Sequence, residues 1–267
     1  MSDPYRDREI ERQRYNARAE QTLTAVAPTI DADGAEGVDL LLRQPYSVYE
    51  QHIRNCVTLG MEVLDLCCGD GRHSLTAARC GAVLTVSDIA ASGLAVAAQR
   101  ARRAGLVLKY VVADAESVPL PDSSFDVVTC AGSLSYLDHS QVLAEIHRIL
   151  KVGGMFICVD SLNHNPIYRL NRWIHYLLGD RTKSTLLRMP TMRVFDDFEH
   201  EIGPVVYQSF HGIFSFLIPL LKPLLGASTT GRVLDYLDLS FPALRSQAFK
   251  FVAVVQKKSK TLPLKPS

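Results

Sequence analysis

The chain has 267 residues, 47% of them hydrophobic, with 29 basic against 28 acidic residues and a formal net charge of +1. That is material for one sizeable core with a subdomain, and it lacks the basic excess of a general nucleic-acid binder, so no nucleic-acid partner is expected. The amino terminus is charged throughout and reads as no secretory signal, and the six cysteines lack C-x-x-C spacing, so the expectation is a cytoplasmic protein with reduced thiols and no metal.

Charged residues at helical spacing from Asp7 to Ala25 predict an N-terminal helix, followed by the turn-rich PTIDADGAEGVD. Its DADG has the glycine in the wrong place for a calcium loop, and the later ligands do not follow. From Met61 to Asp160, short β-branched runs alternate with longer helical stretches, the pattern of βαβ units and a parallel sheet buried on both faces. MEVLDL leads into a helix over Arg72 to Cys80, and AVLTVS into a helix across Ala90 to Ala104. LKYVVA is followed by a loop with Pro119 and Pro121. FDVVTC precedes SQVLAEIHRILK, where Val142, Leu143, Ile146, Ile149 and Leu150 share a face, and GGMFICVD closes the series.

After Asp160 the rhythm breaks, and Ser161 to Glu201 read as a helical insertion over one edge. GIFSFLIPLLKPLLG, from Gly212 to Gly226, is too short to span a bilayer and is interrupted by Pro219, Lys222 and Pro223; it reads as a broken helix pair, with peripheral membrane contact as the sharper alternative. FKFVAVVQK is a late strand expected to pair antiparallel, at an edge or inserted, and KKSKTLPLKPS is a solvated tail. The expected fold is α/β: a Rossmann-like parallel sheet with an antiparallel late strand, helices on both faces and a helical cap. The segments are 1–58 (helical cap), 59–160 (core), 161–247 (substrate-binding insertion) and 248–267 (final strand and tail).

In such a sheet ligands sit beyond the carboxyl ends of the strands. Asp65, then Gly69 and Gly71, follow the first strand; Asp88 follows the second and Asp114 the third. Glycines allow a sharp turn and close backbone approach, and Asp88 is placed to accept hydrogen bonds from ribose hydroxyls. Each acid taken singly could be a helix N-cap. Three at successive strand ends describe a nucleoside pocket.

Residues 61 to 160 resemble the core of class I S-adenosylmethionine-dependent methyltransferases, in the subgroup related to the ubiquinone-pathway enzymes. VLDLCCGDGRHS resembles their motif I, SDIA the acidic second-strand end, ADAESVPLPDSSFDVV the third-to-fourth strand segment, and LAEIHRILKVGGMFI the helix entering the fifth strand. The resemblance implies S-adenosyl-L-methionine as cofactor. Asp65, Cys67, Gly69 and Gly71 would shape the turn around its methionine part, Asp88 with Ile89 the ribose site, Asp114 with Ala115 the adenine site, and Ala131 the wall near the sulfonium. Tyr15 on the first helix would close over the cofactor, as such tyrosines do in related enzymes. The family usually has glycine where this chain has Cys67. A nicotinamide-binding fingerprint would need a third glycine where Ser74 stands, and a catalytically silent binding subunit is the reading from another class.

Methyl transfer needs alignment, with a base only for a poorly nucleophilic acceptor. His139, His164 and Tyr136, beyond the fourth and fifth strands, are the candidate catalytic residues. In the insertion, six basic residues, among them Arg169, Arg172 and Arg188, stand against Asp180 alone between Asn165 and Arg193. These three arginines are the candidate substrate-binding residues, leaning to O-methylation of an anionic or glycosylated small molecule, a lipid-linked saccharide included; C- or N-methylation of a quinone-like aromatic is the alternative.

Overall fold

The computed structural model describes residues 4–24, 39–178 and 182–258. The DADG loop, Asp180, Arg181 and most of the lysine-rich tail lie outside the described residues. The sheet has seven strands: β1 (Glu62–Leu66), β2 (Val83–Asp88), β3 (Lys109–Val112), β4 (Phe125–Ala131), β5 (Leu150–Ser161), β6 (Val205–His211) and β7 (Lys250–Gln256), in the order β3-β2-β1-β4-β5-β7-β6. β1 to β5 are parallel, while β7 runs antiparallel to both β5 and β6.

Burial follows that order. β1 is buried along almost its whole length, whereas at the two edges β3 is largely exposed and β6 half-buried. In β7, Phe251, Ala253 and Val255 enter one apolar layer and Val252 and Val254 the other. An unbroken apolar run of this kind belongs to a strand covered on both faces, which is why β7 is inserted between β5 and β6 instead of forming the edge. The insertion thus supplies a strand of its own, β6, which the sequence reading leaves out.

Helices cover both faces. α2 (Leu40–Cys56), α3 (Leu75–Arg79) and α4 (Ala91–Arg103) pack on one side, with Tyr49, Ile53, Leu75 and Leu94 inward. α5 (His139–Ile149) and α8 (Val194–Glu201) cover the other with Val142, Leu143, Ile146, Ile149 and Phe198. Asp138 caps α5 by accepting from the Gln141 N–H. The segment 1–58 is therefore two different things: α2 is part of the core, and only α1 (Pro4–Thr24) lies outside it, against α4 and the short α7 (Lys183–Leu187). α6 (Pro166–Leu177), with Pro166 in its first turn and Asn165 accepting from the Tyr168 N–H, precedes α7. The apolar stretch from Gly212 enters a short 3-10 turn and α9 (Ile218–Ser240), broken at Gly226 (φ 73°). Among the described residues no helix is long and apolar enough to cross a membrane.

Candidate functional site

A cavity of about 390 Å³ opens beyond the carboxyl ends of β1, β2, β3 and β4, roofed by α1. Its floor is the turn after β1. Cys67, Gly69 and Gly71 all adopt positive φ (57°, 55° and 72°), so the backbone coils left-handed there. A Cβ on Gly71 would lie 2.6 Å from Ala97 Cβ on α4, whereas a Cβ on Gly69 would meet nothing within 4 Å. The first glycine lets the turn face open space; the second lets α4 close behind it.

Two carboxylates hold this turn. Asp65 accepts from Ser74 Oγ and from Thr129 Oγ1 at 2.8 Å, tying the turn to α3 and β4. Asp88 accepts from the Gly69 N–H and the Ala90 N–H, each at 2.8 Å. Burial pushes both acids above the ordinary carboxylate range, against the pull of these hydrogen bonds, and the Asp88 charge raises Asp65 further. Arg100, buried on α4, braces the turn through the Asp70 carbonyl at 3.2 Å.

At the end of β3, Asp114 receives Arg8 of α1 at 2.7 Å, and the same guanidinium meets Glu116. α1 is fastened at two further points: Asn16 accepts from the Ser92 N–H at 3.1 Å, and Glu11 from the hydroxyls of Thr182 and Thr185, each at 3.2 Å. Tyr15 faces the cavity and packs edge-on against Tyr136, with ring centroids 5.8 Å apart.

Ile89, Ala115 and Ala131 line the same cavity, so all the cofactor-site residues read from the sequence except Gly71, which backs the turn against α4, line one cavity, together with Tyr136 and Arg188. Arg188 donates to the Tyr136 carbonyl at 3.4 Å. The two histidines singled out as bases are not there. His139 Nε2 meets the Leu134 carbonyl at 3.2 Å and its ring borders a separate cavity beside α8; His164 Nε2 accepts from the Met192 N–H at 3.2 Å. Both rings are occupied in fastening loops. Arg169 is exposed on α6, and Arg172 is buried behind it, with Ser135 Oγ 3.3 Å away and the guanidinium over the Tyr168 ring. Neither lines the cavity: Arg169 faces solvent, and Arg172 turns inward to Ser135 and Tyr168.

The histidine that does line the cavity is His73. Its Nδ1 lies 2.8 Å from Glu50 Oε1, and its ring stacks on Tyr46 at 4.3 Å with an interplanar angle of 8°. A carboxylate at Nδ1 fixes the imidazole tautomer and leaves Nε2 as the basic edge. The sequence held a signal: His73 stands two residues after Gly71, at the entry to α3. Its partners, on α2, carried none. The hydrogen bond with the Cys130 thiol, and then burial, hold Cys67 well above the ordinary thiol range, and burial does the same for Cys68, which makes both poor nucleophiles. No cluster of metal-ligating side chains occurs among the described residues.

The cavity fits a nucleoside with a cationic tail. The glycine turn leaves room over Gly69, Asp88 presents a half-buried carboxylate at the second strand end, and together with the buried Asp65 it complements positive charge. Residues 64–158 match the family model described as a methyltransferase domain. Over 163 residues the chain is 34% identical to the ubiquinone/menaquinone biosynthesis C-methyltransferase UbiE of Bartonella quintana, covering 53% of this chain and 62% of that protein. The chain spans less than two thirds of the length of the curated relatives it matches. Among solved structures, the cyclase SpnF superposes with a TM-score of 0.63 at 18% identity, over 94% of this chain and 96% of that one. Geranyl diphosphate methyltransferase in complex with SAM gives 0.57 at 19% identity, over 82% and 87%. The chain carries a class I S-adenosylmethionine-dependent methyltransferase domain, related to those of the ubiquinone-pathway methyltransferases.

Proposed function

We propose that this protein transfers a methyl group from S-adenosylmethionine to a small-molecule acceptor carrying an anionic group. The observation that carries the reading is the pair of carboxylates flanking the glycine turn, Asp65 buried and Asp88 half-buried. Two acids raised by burial, Asp65 by the Asp88 charge as well, are relieved by a bound cation, whereas the pyrophosphate of a nicotinamide dinucleotide would meet repulsion there. When bound, the cofactor supplies an electrophilic methyl group already activated by positive charge.

Asp88 and Asp114 would hold its ribose and adenine ends, and α1 would exclude water, with Tyr15 over the cavity. Arg188, on the cap side of the same cavity, would orient the anionic group of the acceptor. A hydroxyl acceptor, the form we favour, loses a proton on methylation, and so does an aromatic carbon of the kind methylated by a C-methyltransferase. The Glu50–His73 pair is the titratable group placed to take that proton.

Calorimetry with S-adenosylhomocysteine and, separately, with NAD tests the cofactor. Binding of the former alone is expected; binding of NAD alone would overturn the reading. Incubation with methyl-labelled cofactor and fractionated small-molecule extracts then tests transfer. The wide superposition on a protein named as a cyclase keeps a second reading open, the same cofactor pocket serving a reaction without methyl transfer. Cofactor binding with no labelled product from any fraction would favour it.

A further inference from the structure

α6 is an amphipathic helix turned inside out. Ile167, Leu170, Ile174 and Leu177 recur at the spacing of one helix face and stand 44 to 61% exposed, while the inward side carries Arg172 and Tyr168. The apolar surface continues beyond α6. Leu187 of α7 is exposed, and on the other side Asn165 Nδ2 donates to the Gln247 carbonyl, joining α6 to the 3-10 turn Pro242–Gln247 with exposed Leu244. From there Phe241 packs on Phe214, and Phe214 on exposed Phe216, at the entry to α9 and its exposed Leu220.

The exposed charges on these elements have one sign. α6, α7, the 3-10 turn and the stretch from Val205 to Leu234 contain no aspartate or glutamate, and of the two acids further along α9, Asp238 is buried and Asp235 half-buried, whereas Arg169, Lys183, Lys222 and Arg245 are exposed. With 28 acids in the chain, this is a segregated surface. A second copy of the chain would bring like charges together across the contact, and nothing among the described residues covers the face.

We propose that this face docks on an anionic lipid bilayer, with the α6 stripe seated at the headgroup boundary and the surrounding cations on the lipid phosphates. Docking would bring the bilayer within one residue of the cavity, since Leu187 on the face precedes Arg188 in the cavity wall. The inference stands apart from the acceptor's identity and does not require methyl transfer.

Trp173 makes the test direct. It is the chain's one tryptophan, borders the α6 stripe and is 54% exposed. The full chain is titrated with phosphatidylcholine vesicles and with vesicles containing phosphatidylglycerol, reading Trp emission and co-sedimentation. A blue shift and at least about tenfold stronger partitioning into the anionic vesicles are expected, weakening as salt rises. The double variant L170E/I174E should lose co-sedimentation while binding S-adenosylhomocysteine like the parent, and R169E/K222E should lose the preference for anionic lipid. Absence of a shift with either vesicle, equal partitioning into both, or undiminished binding by L170E/I174E would overturn the proposal. So would a vesicle-free, concentration-dependent shift with a sedimenting dimer, which would assign the face to a second copy.

Discussion

The carboxylate of Asp88 accepts the Gly69 N–H at 2.8 Å, so the end of the second strand holds the turn that follows the first. One residue therefore shapes the pocket and offers an acceptor to the ligand. Asp88→Ala should weaken S-adenosylhomocysteine binding about 10- to 100-fold by calorimetry, with Asp88→Asn intermediate. Burial raises the proton affinity of Asp88. Cofactor affinity should accordingly fall on acidification before an ordinary carboxylate would protonate; an affinity flat across that range would remove the carboxylate from the binding model.

The turn itself makes opposite demands at two positions. Gly71→Ala places a methyl group 2.6 Å from Ala97 Cβ on a left-handed backbone and should cost about 2 to 4 kcal/mol in urea unfolding. Cys67 already carries a side chain in that conformation. Cys67→Gly relieves the backbone, loses the contact with the Cys130 thiol and frees the unfolded chain, so its net effect should stay within about 1 kcal/mol. Cys67→Val, β-branched at positive φ, should lose at least about 2 kcal/mol.

Arg8 binds α1 to Asp114 and Glu116 across more than a hundred residues of sequence. Arg8→Ala should speed release of S-adenosylhomocysteine in stopped-flow measurements and expose α1 to limited proteolysis, leaving the melting of the sheet core unchanged. Unaltered proteolysis of α1 would mean that its attachments to Ser92, Thr182 and Thr185 suffice.

For the Glu50–His73 pair, His73→Asn should lower turnover by about 10²- to 10⁴-fold with S-adenosylhomocysteine affinity changed less than about threefold. Glu50→Gln, which keeps a hydrogen bond but removes the charge, should lower turnover less and alter its pH profile. Equal losses in cofactor affinity and turnover would make the pair a structural support for α3.

Asp235, on α9, is pushed up from 3.8 to about 6 by burial, with the Asp238 charge adding to it. The folded state therefore binds more protons than the unfolded chain between pH 3.8 and about 6. Stability contributed at this site falls as pH rises through that window and stays lower above it. Asp235→Asn should be more stable than the parent above the window and indistinguishable below it, read as urea midpoints.

The core was open to sequence reading because its signals are local. Parallel strands covered on both faces are short apolar runs, each ending where a ligand-facing residue must stand, so Asp65, Asp88 and Asp114 could be placed by strand order alone. Even the double-sided burial of β7 is written in FVAVV. The surroundings of the two histidines were not legible, for the opposite reason. His139 and His164 lie beyond the right strands, but whether an imidazole meets solvent, a carbonyl or an N–H depends on neighbours distant in sequence, here Met192 for His164.

The sequence alone determined the α/β class, the cofactor end of the sheet and the residues of the glycine turn, since period, strand length and turn chemistry are properties of contiguous chain. Only the tertiary structure decided that Arg8 closes onto Asp114, that Glu50 on α2 pairs with His73, and that α6 turns its leucines outward and Arg172 inward. Those outcomes depend on long-range packing, in which the face a helix presents is set by what it meets and by no repeat in its own residues.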